Sequence, residues 1–306
     1  MLKRRRSPDK CRCATNPVVM TAKLLEGLPV AERVMRDVAG RVAGLREMRT
    51  VAGLATVLVG DDPASVGYVR KKHEACAAVG VRSENIRLSA SATQAELHEA
   101  VHRLNLDPSI HGFLIQHPLP AHLDFDRALL EMDPRKDADG MHPYNVGRLA
   151  CGLPGPIPAT PGAVRAILLH YGVPIAGRHV VIIGRGPTLG RPLSLLLSGH
   201  GLGGDAAVTV VHSAVSDIKT HTLRADILVS GVGRAGLVTP DMVREGAVVV
   251  SAGITWQGKR LVPDVLESVA EKASWITPRL GGVGVMTVAM LLLNTVQAAE
   301  REISKR

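Results

Sequence analysis

The run Leu54-Ala-Thr-Val-Leu-Val59, followed by Gly60-Asp-Asp-Pro-Ala-Ser-Val-Gly-Tyr-Val-Arg-Lys-Lys72, decides how this chain is read. The unbroken apolar run has the length of a buried strand. Asp62-Pro63 then predicts an N-cap with proline at the first helical position, and Gly80 the helix stop. Within that helix Val69, Cys76 and Val79 form an inward stripe at i, i+7 and i+10. Lys72 falls at i+3 on the same stripe, while Arg70, Lys71 and Glu74 take the wetter faces. In open α/β sheets, ligands bind in crevices at the C-terminal ends of strands. A lysine on the inward face of a helix that starts there is therefore a candidate functional group, and Tyr68 stands one turn before it. The plain alternative is a snorkelling lysine, its stem covering apolar surface and its ammonium in water. The helix alone does not choose between them.

The 306 residues are enough for about two domains, and an apolar content of 46% is ample for packed cores. Apolar runs are short and interrupted, so no membrane span is expected. The cysteines are Cys11, Cys13, Cys76 and Cys151, which is no disulfide framework and suits a reducing cytoplasm. The net charge of +9 is uneven: residues 1–19 carry six basic side chains and one acidic one, leaving +4 for the rest. With only two Trp, three Tyr and two Phe, a base-stacking platform is not expected, and nucleic acid is set aside as a partner. Residues 1–19 read as a disordered basic tail that lacks the apolar segment of a secretory signal. Met20 is a second natural start. Cys11 and Cys13 lack the partner pair a metal site needs.

Residues 29–47 and 93–105 have helical apolar spacing, the latter with Leu97, Val101 and Leu104 inward. Gly112-Phe-Leu-Ile115 is a short strand that ends at Gln116 and is broken by His117-Pro-Leu-Pro120. The first half thus reads helix, strand, helix, helix, strand, and Asp133–Gly140 is a charged loop. The Gly- and Pro-rich stretch Leu149–Pro161 reads as a boundary. Beyond it, strands are expected at His179–Ile183, Val208–His212, Ile227–Ser230, Ala247–Ser251 and Trp275–Thr277. Their alternation with helical or loop segments implies a parallel sheet. Gly281-Gly-Val-Gly284 reads as a flexible loop before a closing helix over Met286–Arg301.

Four constellations carry chemistry. Gly184-Arg-Gly-Pro-Thr-Leu-Gly190 lies between an apolar strand and an apolar helix, where glycines and a helix N-terminus favour a phosphate. Its spacing is one residue longer than G-x-G-x-x-G. The next strand ends His212-Ser213 rather than in the acid that accepts a ribose 2′-hydroxyl, and Arg185 is near in the loop. NADP is therefore favoured over NAD. His98-Glu-Ala-Val-His102 matches the H-E-x-x-H zinc motif, but Asn105 and Pro108 replace the glycine and histidine of the extended form. Two solvated histidines is the preferred reading, and no metal is expected. Asp137 and Asp139 before Gly140 resemble a calcium loop, which Arg135 and Val146 rule out. A carboxylate beside a glycine turn still suits the paired N–H groups of a heterocycle. The Gly281–Gly284 segment is weak alone.

Taken together, these segments resemble the bifunctional methylenetetrahydrofolate dehydrogenase/methenyltetrahydrofolate cyclohydrolase family, from about Met20 to the C-terminus. The resemblance rests on Gly60-Asp-Asp-Pro-Ala-Ser65, Tyr68-Val-x-x-Lys72, Gly112–Pro120, Lys136-Asp-Ala-Asp-Gly140, Gly184-Arg185 with Gly190-Arg-Pro192, and Gly281-Gly-Val-Gly284 with Met286–Met290. It implies an α/β fold of two domains flanking a cleft. Residues 20–158 plus 286–306 would form the folate-binding catalytic domain, with the C-terminal helix returning to it. Residues 159–285 would form a Rossmann-like NADP domain through which a homodimer assembles. It also implies that Lys72 is the acid–base residue, bonded to Gln116, and that Tyr68 stacks on the folate rings. Asp139 would hold the pterin N–H groups, with Gly282 and Gly284 also on the substrate side. Gly184, Arg185, Gly186, Gly190, Ser213 and Ile254 would bind NADP, with Arg185 and Ser213 on its 2′-phosphate.

The implied chemistry is loss of hydride from the one-carbon bridge of methylenetetrahydrofolate, giving a cationic methenyl product. Water then attacks that carbon, and the ring opens to 10-formyltetrahydrofolate. An ammonium beside a cation is unfavourable, so Lys72 should be neutral for part of the cycle. Departures from the family pattern are Gly186, Ala159, Ser251, Arg279-Leu280 and Val285, nearly all on the cofactor side. Alternative readings are a cyclohydrolase-dominant enzyme, a non-catalytic folate- or NADP-binding relative and, distantly, a zinc hydrolase using His98 and His102.

Overall fold

The computed structural model describes residues 22–258 and 260–304. The basic tail, Cys11, Cys13 and Met20 lie outside the described residues. The first half contains β1 (Lys23–Leu24), α1 (Gly27–Glu47), β2 (Gly53–Val59), α2 (Pro63–Val79), β3 (Arg82–Leu88), α3 (Gln94–Leu106) and β4 (Gly112–Ile115). Two short helices, α4 (Phe125–Glu131) and α5 (Pro143–Ala150), follow. The second half runs α6 (Ala159–His170), β5 (His179–Ile183), α7 (Gly190–Ser198), β6 (Ala207–Val211), α8 (Ile218–Thr222) and β7 (Ile227–Ser230). It continues through β8 (Val248–Ser251), β9 (Ile254–Gln257), β10 (Arg260–Pro263), β11 (Trp275–Ile276) and α9 (Val283–Ile303).

Two parallel sheets organise these elements. The smaller has the order β3-β2-β4, and the larger has the order β1-β11-β8-β7-β5-β6. Strand β2 is buried along its whole length, as its apolar run requires in a sheet covered on both faces. The α/β class and the expected strands of the second half are present, with ends shifted by a residue. Four strands escaped the sequence reading. Strand β3, Arg-Ser-Glu-Asn-Ile-Arg-Leu, is an edge strand whose mostly polar side chains stay wet, so it lacks an apolar signal. Strand β1 is two residues long and is defined by its pairing with β11. The β9–β10 hairpin is antiparallel and lies outside both sheets.

Helix α2 is built as its sequence dictates. The Asp62 side chain accepts from Ser65 N–H at 2.8 Å, Pro63 opens the helix, and Gly80 closes it at φ +76. Helix α3 carries a full capping box between Thr93 and Glu96. Helix α9 is long and apolar enough to cross a bilayer by length and composition, but its apolar face is spent elsewhere. Val283, Met286, Ala289, Met290 and Leu292 share one core with Val38, Val42 and Leu45 of α1 and with Val164 and Ile167 of α6. Half of the expected flexible loop before it is helix: Gly282 is the N-cap, and Val283 and Gly284 open the first turn. Gly27 N–H donates to Gly281 carbonyl oxygen at 2.7 Å, and a Cβ on Gly27 would come within 2.0 Å of Gly282 oxygen. Close approach of α1 therefore fixes that glycine pair. The expected linker Leu149–Pro161 is shorter than its composition suggests, because α6 begins at Ala159 and tolerates Pro161 within its first turn.

In the larger sheet the chain passes from β5 to β6 on one side and then returns to β7 on the other. The switch point lies between β5 and β7, where open sheets of this kind form a crevice. Gly184 leaves β5 at φ +115, and a Cβ there would touch Val232 Cγ1 at 2.9 Å. After β7, Asp264 organises the backbone from within. It is fully buried and accepts from Ser230 Oγ–H at 2.9 Å, Val232 N–H at 2.7 Å and Arg234 N–H at 2.8 Å. Asp264→Ala would strand these donors, at a cost of about 2–4 kcal/mol. Chemical denaturation should therefore show a clear loss of stability; an unchanged midpoint would contradict this role for Asp264.

Candidate active site

Lys72 points off α2 toward the end of β4. Its Nζ donates to Gln116 Oε1 at 2.8 Å, and only 9% of the residue is exposed. Gln116 is held in turn, its Nε2 donating to the His117 carbonyl at 2.7 Å. With the amide nitrogen committed to a carbonyl, the amide oxygen must face the lysine. Gln116 therefore accepts from Lys72 whether the amine is neutral or charged. A neutral amine bonded this way keeps its lone pair for another partner. Snorkelling does not describe this lysine, because its amine is spent on a protein acceptor inside the fold.

Asp139 completes the cluster from the turn between α4 and α5. Asp137, two residues earlier, is buried and shapes that turn. Its Oδ1 accepts from Gly140 N–H at 2.9 Å and Met141 N–H at 3.2 Å. Its Oδ2 accepts from His142 N–H at 2.8 Å and Asn145 Nδ2 at 2.9 Å. Gly140 sits at φ +72, and a Cβ there would strike Pro158 nitrogen at 2.7 Å. The Lys-Asp-Ala-Asp-Gly run thus divides its labour: Asp137 builds the turn, and Asp139 is left to face the cleft. The sequence reading weighed Asp137 only as a calcium ligand, so its part in the turn was missed.

Burial governs the charge of both groups. Desolvation lowers the Lys72 pKa from its ordinary value, and the Asp139 charge opposes the shift without cancelling it. Desolvation raises Asp139 to about 6, with Lys72 opposing and Asp137 assisting. Asp139 as a residue is half-buried because it lines a cavity, but its carboxyl lies deep enough for desolvation to dominate. The two groups stabilise each other's charge, yet the dry site pushes both toward neutrality.

A cavity of about 1230 Å³ opens in front of this cluster. Lys72, Gln116, Asp139, His117, Phe125 and Met141 line one wall, and Pro187, Thr188 and Arg191 of the second half line another. Tyr68 is 47% exposed, one turn from Lys72, with the Lys71 amine 5.9 Å from its ring centre. Gly282 and Gly284 sit at the start of α9, outside the cavity lining. Thr188 and Arg191 were not assigned a role from sequence, although Gly190-Arg-Pro192 had been singled out as a block.

The second half supplies the groups expected for a dinucleotide. Ile183 pairs with Val211 across β5 and β6, so Arg185 and Ser213 each lie two residues past matching strand ends. Both are exposed. Gly190 opens α7, and a Cβ there would come within 2.1 Å of Gly184 oxygen. Leu189, the N-cap, has no side chain able to satisfy the first-turn N–H groups, which suits an anion there. Gly186 has open space around it. Ile254 begins β9 and is exposed. The residues present therefore fit a phosphorylated nucleotide.

In the His98-x-x-x-His102 pair, His98 has other partners. His98 Nδ1 lies 3.1 Å from Glu131 Oε1, and its Nε2 lies 2.6 Å from Gln94 Nε2. Among the described residues no three His, Cys, Asp or Glu side chains converge as a metal site.

Comparison with known proteins gives a consistent picture. The profile for the tetrahydrofolate dehydrogenase/cyclohydrolase catalytic domain matches residues 25–139, and that for the NAD(P)-binding domain of the same family matches residues 158–303. The bifunctional protein FolD of Syntrophotalea carbinolica is 57% identical over 281 residues, covering 92% of this chain and 97% of the relative. Bifunctional protein FolD 1 of Salinispora tropica is 53% identical over 285 residues, covering 93% of each chain. Among solved structures, the FolD methylenetetrahydrofolate dehydrogenase/cyclohydrolase of Campylobacter jejuni has a TM-score of 0.88 at 39% identity, covering 92% of this chain and 99% of that one. The Trypanosoma brucei enzyme, solved with NADP cofactor and inhibitor, has a TM-score of 0.87 at 39% identity, covering 92% and 98%.

The raised Asp139 pKa has a stability consequence with a definite sign. A carboxyl whose folded pKa lies above its unfolded value of 3.8 binds protons more tightly in the folded state. Its favourable contribution is complete below 3.8 and is lost as pH rises through about 6. Asp139→Asn removes this dependence. Its stability relative to the parent should rise between pH 4 and pH 7 by on the order of 1–2 kcal/mol, with residual exposure and the Lys72 charge damping the full shift. Parallel denaturation series at the two pH values measure it, and a constant difference would show that Asp139 is not desolvated in the folded protein.

Proposed function

The chain belongs to the tetrahydrofolate dehydrogenase/cyclohydrolase family, and we propose that Lys72, held by Gln116 and opposed by Asp139, carries its acid–base chemistry. The chain oxidises 5,10-methylenetetrahydrofolate to the methenyl form with NADP and hydrolyses the methenyl form to 10-formyltetrahydrofolate. The observation that carries the Lys72 assignment is the 2.8 Å bond from Nζ to Gln116 Oε1 at the wall of the cleft.

The substrate's heterocycle lies between Tyr68 and the Lys72 cluster, with Asp139 accepting from its N–H groups. Bound NADP would supply the acceptor for the hydride that leaves the one-carbon bridge. The chain's own residues then manage the cation that results. A lysine whose pKa is already lowered sits beside that cation at little electrostatic cost. Its lone pair accepts a proton from the water that attacks the methenyl carbon, and its ammonium returns one as the ring opens. Gln116 holds the nitrogen in place in both states.

On the cofactor side, Gly184, Gly186 and Gly190 admit the phosphates at the N-terminus of α7. Arg185 and Ser213 would hold the 2′-phosphate, and Ile254 would flank the nicotinamide. No carboxylate ends β6 to repel it, which favours NADP over NAD. Residues 20–158 with 286–306 act as the folate domain and 159–285 as the cofactor domain, with Lys23–Leu24 lent to the cofactor sheet. Leu202 and Trp256 leave apolar surface on that second half, which supports assembly as a homodimer through it. Free Cys76 and Cys151 suit the reducing cytoplasm.

The test follows methenyl product and NADPH formation from methylenetetrahydrofolate, run with NADP and with NAD. Turnover preferring NADP is expected, and no signal with either cofactor would sink the dehydrogenase assignment. Methenyl hydrolysis without reduced cofactor would instead favour a cyclohydrolase-dominant enzyme. Lys72→Met should lower cyclohydrolase turnover by about 10²–10⁴-fold while substrate still binds. Full activity in that variant would remove Lys72 from its role. Ser213→Asp should shift preference from NADP toward NAD by about tenfold or more; unchanged preference would release Ser213 from the 2′-phosphate.

A further inference from the structure

A second cavity, of about 530 Å³, opens at the other end of β4. His111, just before the strand, lines it, whereas Gln116, just after the strand, faces the active-site cleft. Its walls mix apolar, polar and basic groups, with Glu302 as the one acid among the lining residues. Leu106, Pro134, Pro154 and Pro156 form apolar surface, and Arg135, Lys136, Arg148 and Arg301 bring positive charge. That volume lies within the usual range of small-molecule sites, roughly 300–1,000 Å³.

The cations differ in what already holds them. Arg135 is committed to Asp133, with Nη2 to Oδ2 at 2.6 Å. Lys136 donates to the carbonyls of Leu104 and Asp107 at 2.9 and 2.7 Å, and Glu302 faces both Arg135 and Lys136. Arg148 donates to Pro154 oxygen at 2.7 Å and to Tyr144 Oη at 3.3 Å, neither of them an anion. Arg301 makes no hydrogen bond or ion pair among the described residues, and Glu300 beside it pairs with Arg41 at 3.6 Å. Burial disfavours the Arg301 charge, the Glu300 carboxylate opposes that, and nearby Arg148 adds to the disfavour. Each arginine sits near the C-terminus of its helix, where a cation is favoured. That explains their charge but not why two guanidiniums without a carboxylate partner converge on one cavity.

We propose that this cavity is a binding site for a small organic polyanion, a di- or tricarboxylate or a phosphate ester, held by Arg148 and Arg301. Two planar forks without a bonded carboxylate suit oxyanions, which guanidinium binds bidentately. The proline-rich wall takes the ligand's carbon body. The site is separate from the folate and NADP sites, and it does not depend on the roles assigned there. Asn145 and Lys136 are unsuitable as probes, because both sit in the segment that supports the Asp139 turn.

Calorimetry on the full chain saturated with NADP tests it, with citrate as the carboxylate probe and inorganic phosphate as the phosphate probe. Binding by at least one of them in the millimolar range or tighter is expected. Arg301→Gln and Arg148→Gln should each weaken it by about tenfold or more, with melting temperature and NADP affinity unchanged. The better of the two probes identifies the ligand chemistry. No binding by either, binding that both variants retain, or binding that appears only when NADP is omitted would overturn the proposal.

Discussion

Lys72 is an amine taken out of water and given one fixed acceptor. Its placement on the inward face of α2 removes most of its hydration, and Gln116 returns a single hydrogen bond. Burial alone pushes the amine toward its neutral form. Asp139 opposes that tendency from across the site without cancelling it. A group poised in this way can take a proton and give it back, as a reaction passing through a cation requires.

The fold exists to hold these few atoms. Parallel pairing of β2 with β4 brings the start of α2 and the end of β4 to the same edge, so residues 44 apart in sequence meet. Asp137 fixes the turn that presents Asp139, and Asn294 of α9 ties that turn to the C-terminal helix by donating to Ala138 oxygen at 2.9 Å. Across the cleft, Asp264 performs a comparable service for the loop after β7. Two buried aspartates outside the cavity lining thus hold two turns, one of which presents Asp139. Each resolves the same problem, a sharp turn whose N–H groups would otherwise lack partners inside the protein.

Much of this was legible in the sequence, for identifiable reasons. The continuous apolar runs of β2, β5, β7 and β8 are what parallel strands covered on both faces require. Asp62, Pro63 and Gly80 mark their helix by local chemistry alone. The pairing of Lys72 with Gln116 came from a family resemblance, since no local rule links positions so far apart. Elements defined by tertiary pairing were not legible. Strand β3 has the composition of a surface loop, and β1 is a strand only because β11 is beside it. The glycines before α9 looked like a loop because sequence records their freedom, not the α1 backbone that removes it. Asp264 sits in Leu-Val-Pro-Asp-Val, where nothing local marks an acid as buried.

The central claim concerns the charge of one side chain, so the most direct measurement is the titration of Lys72 itself. Nuclear magnetic resonance of lysine-labelled protein, assigned by comparison with Lys72→Met, reports its amine through the pH range. Lys72 should titrate clearly below the ordinary lysine value of 10.5, and lower again in Asp139→Asn, where the opposing charge is gone. A Lys72 that titrates with the surface lysines, or that ignores the loss of Asp139, would contradict the assignment of this cluster as the acid–base centre.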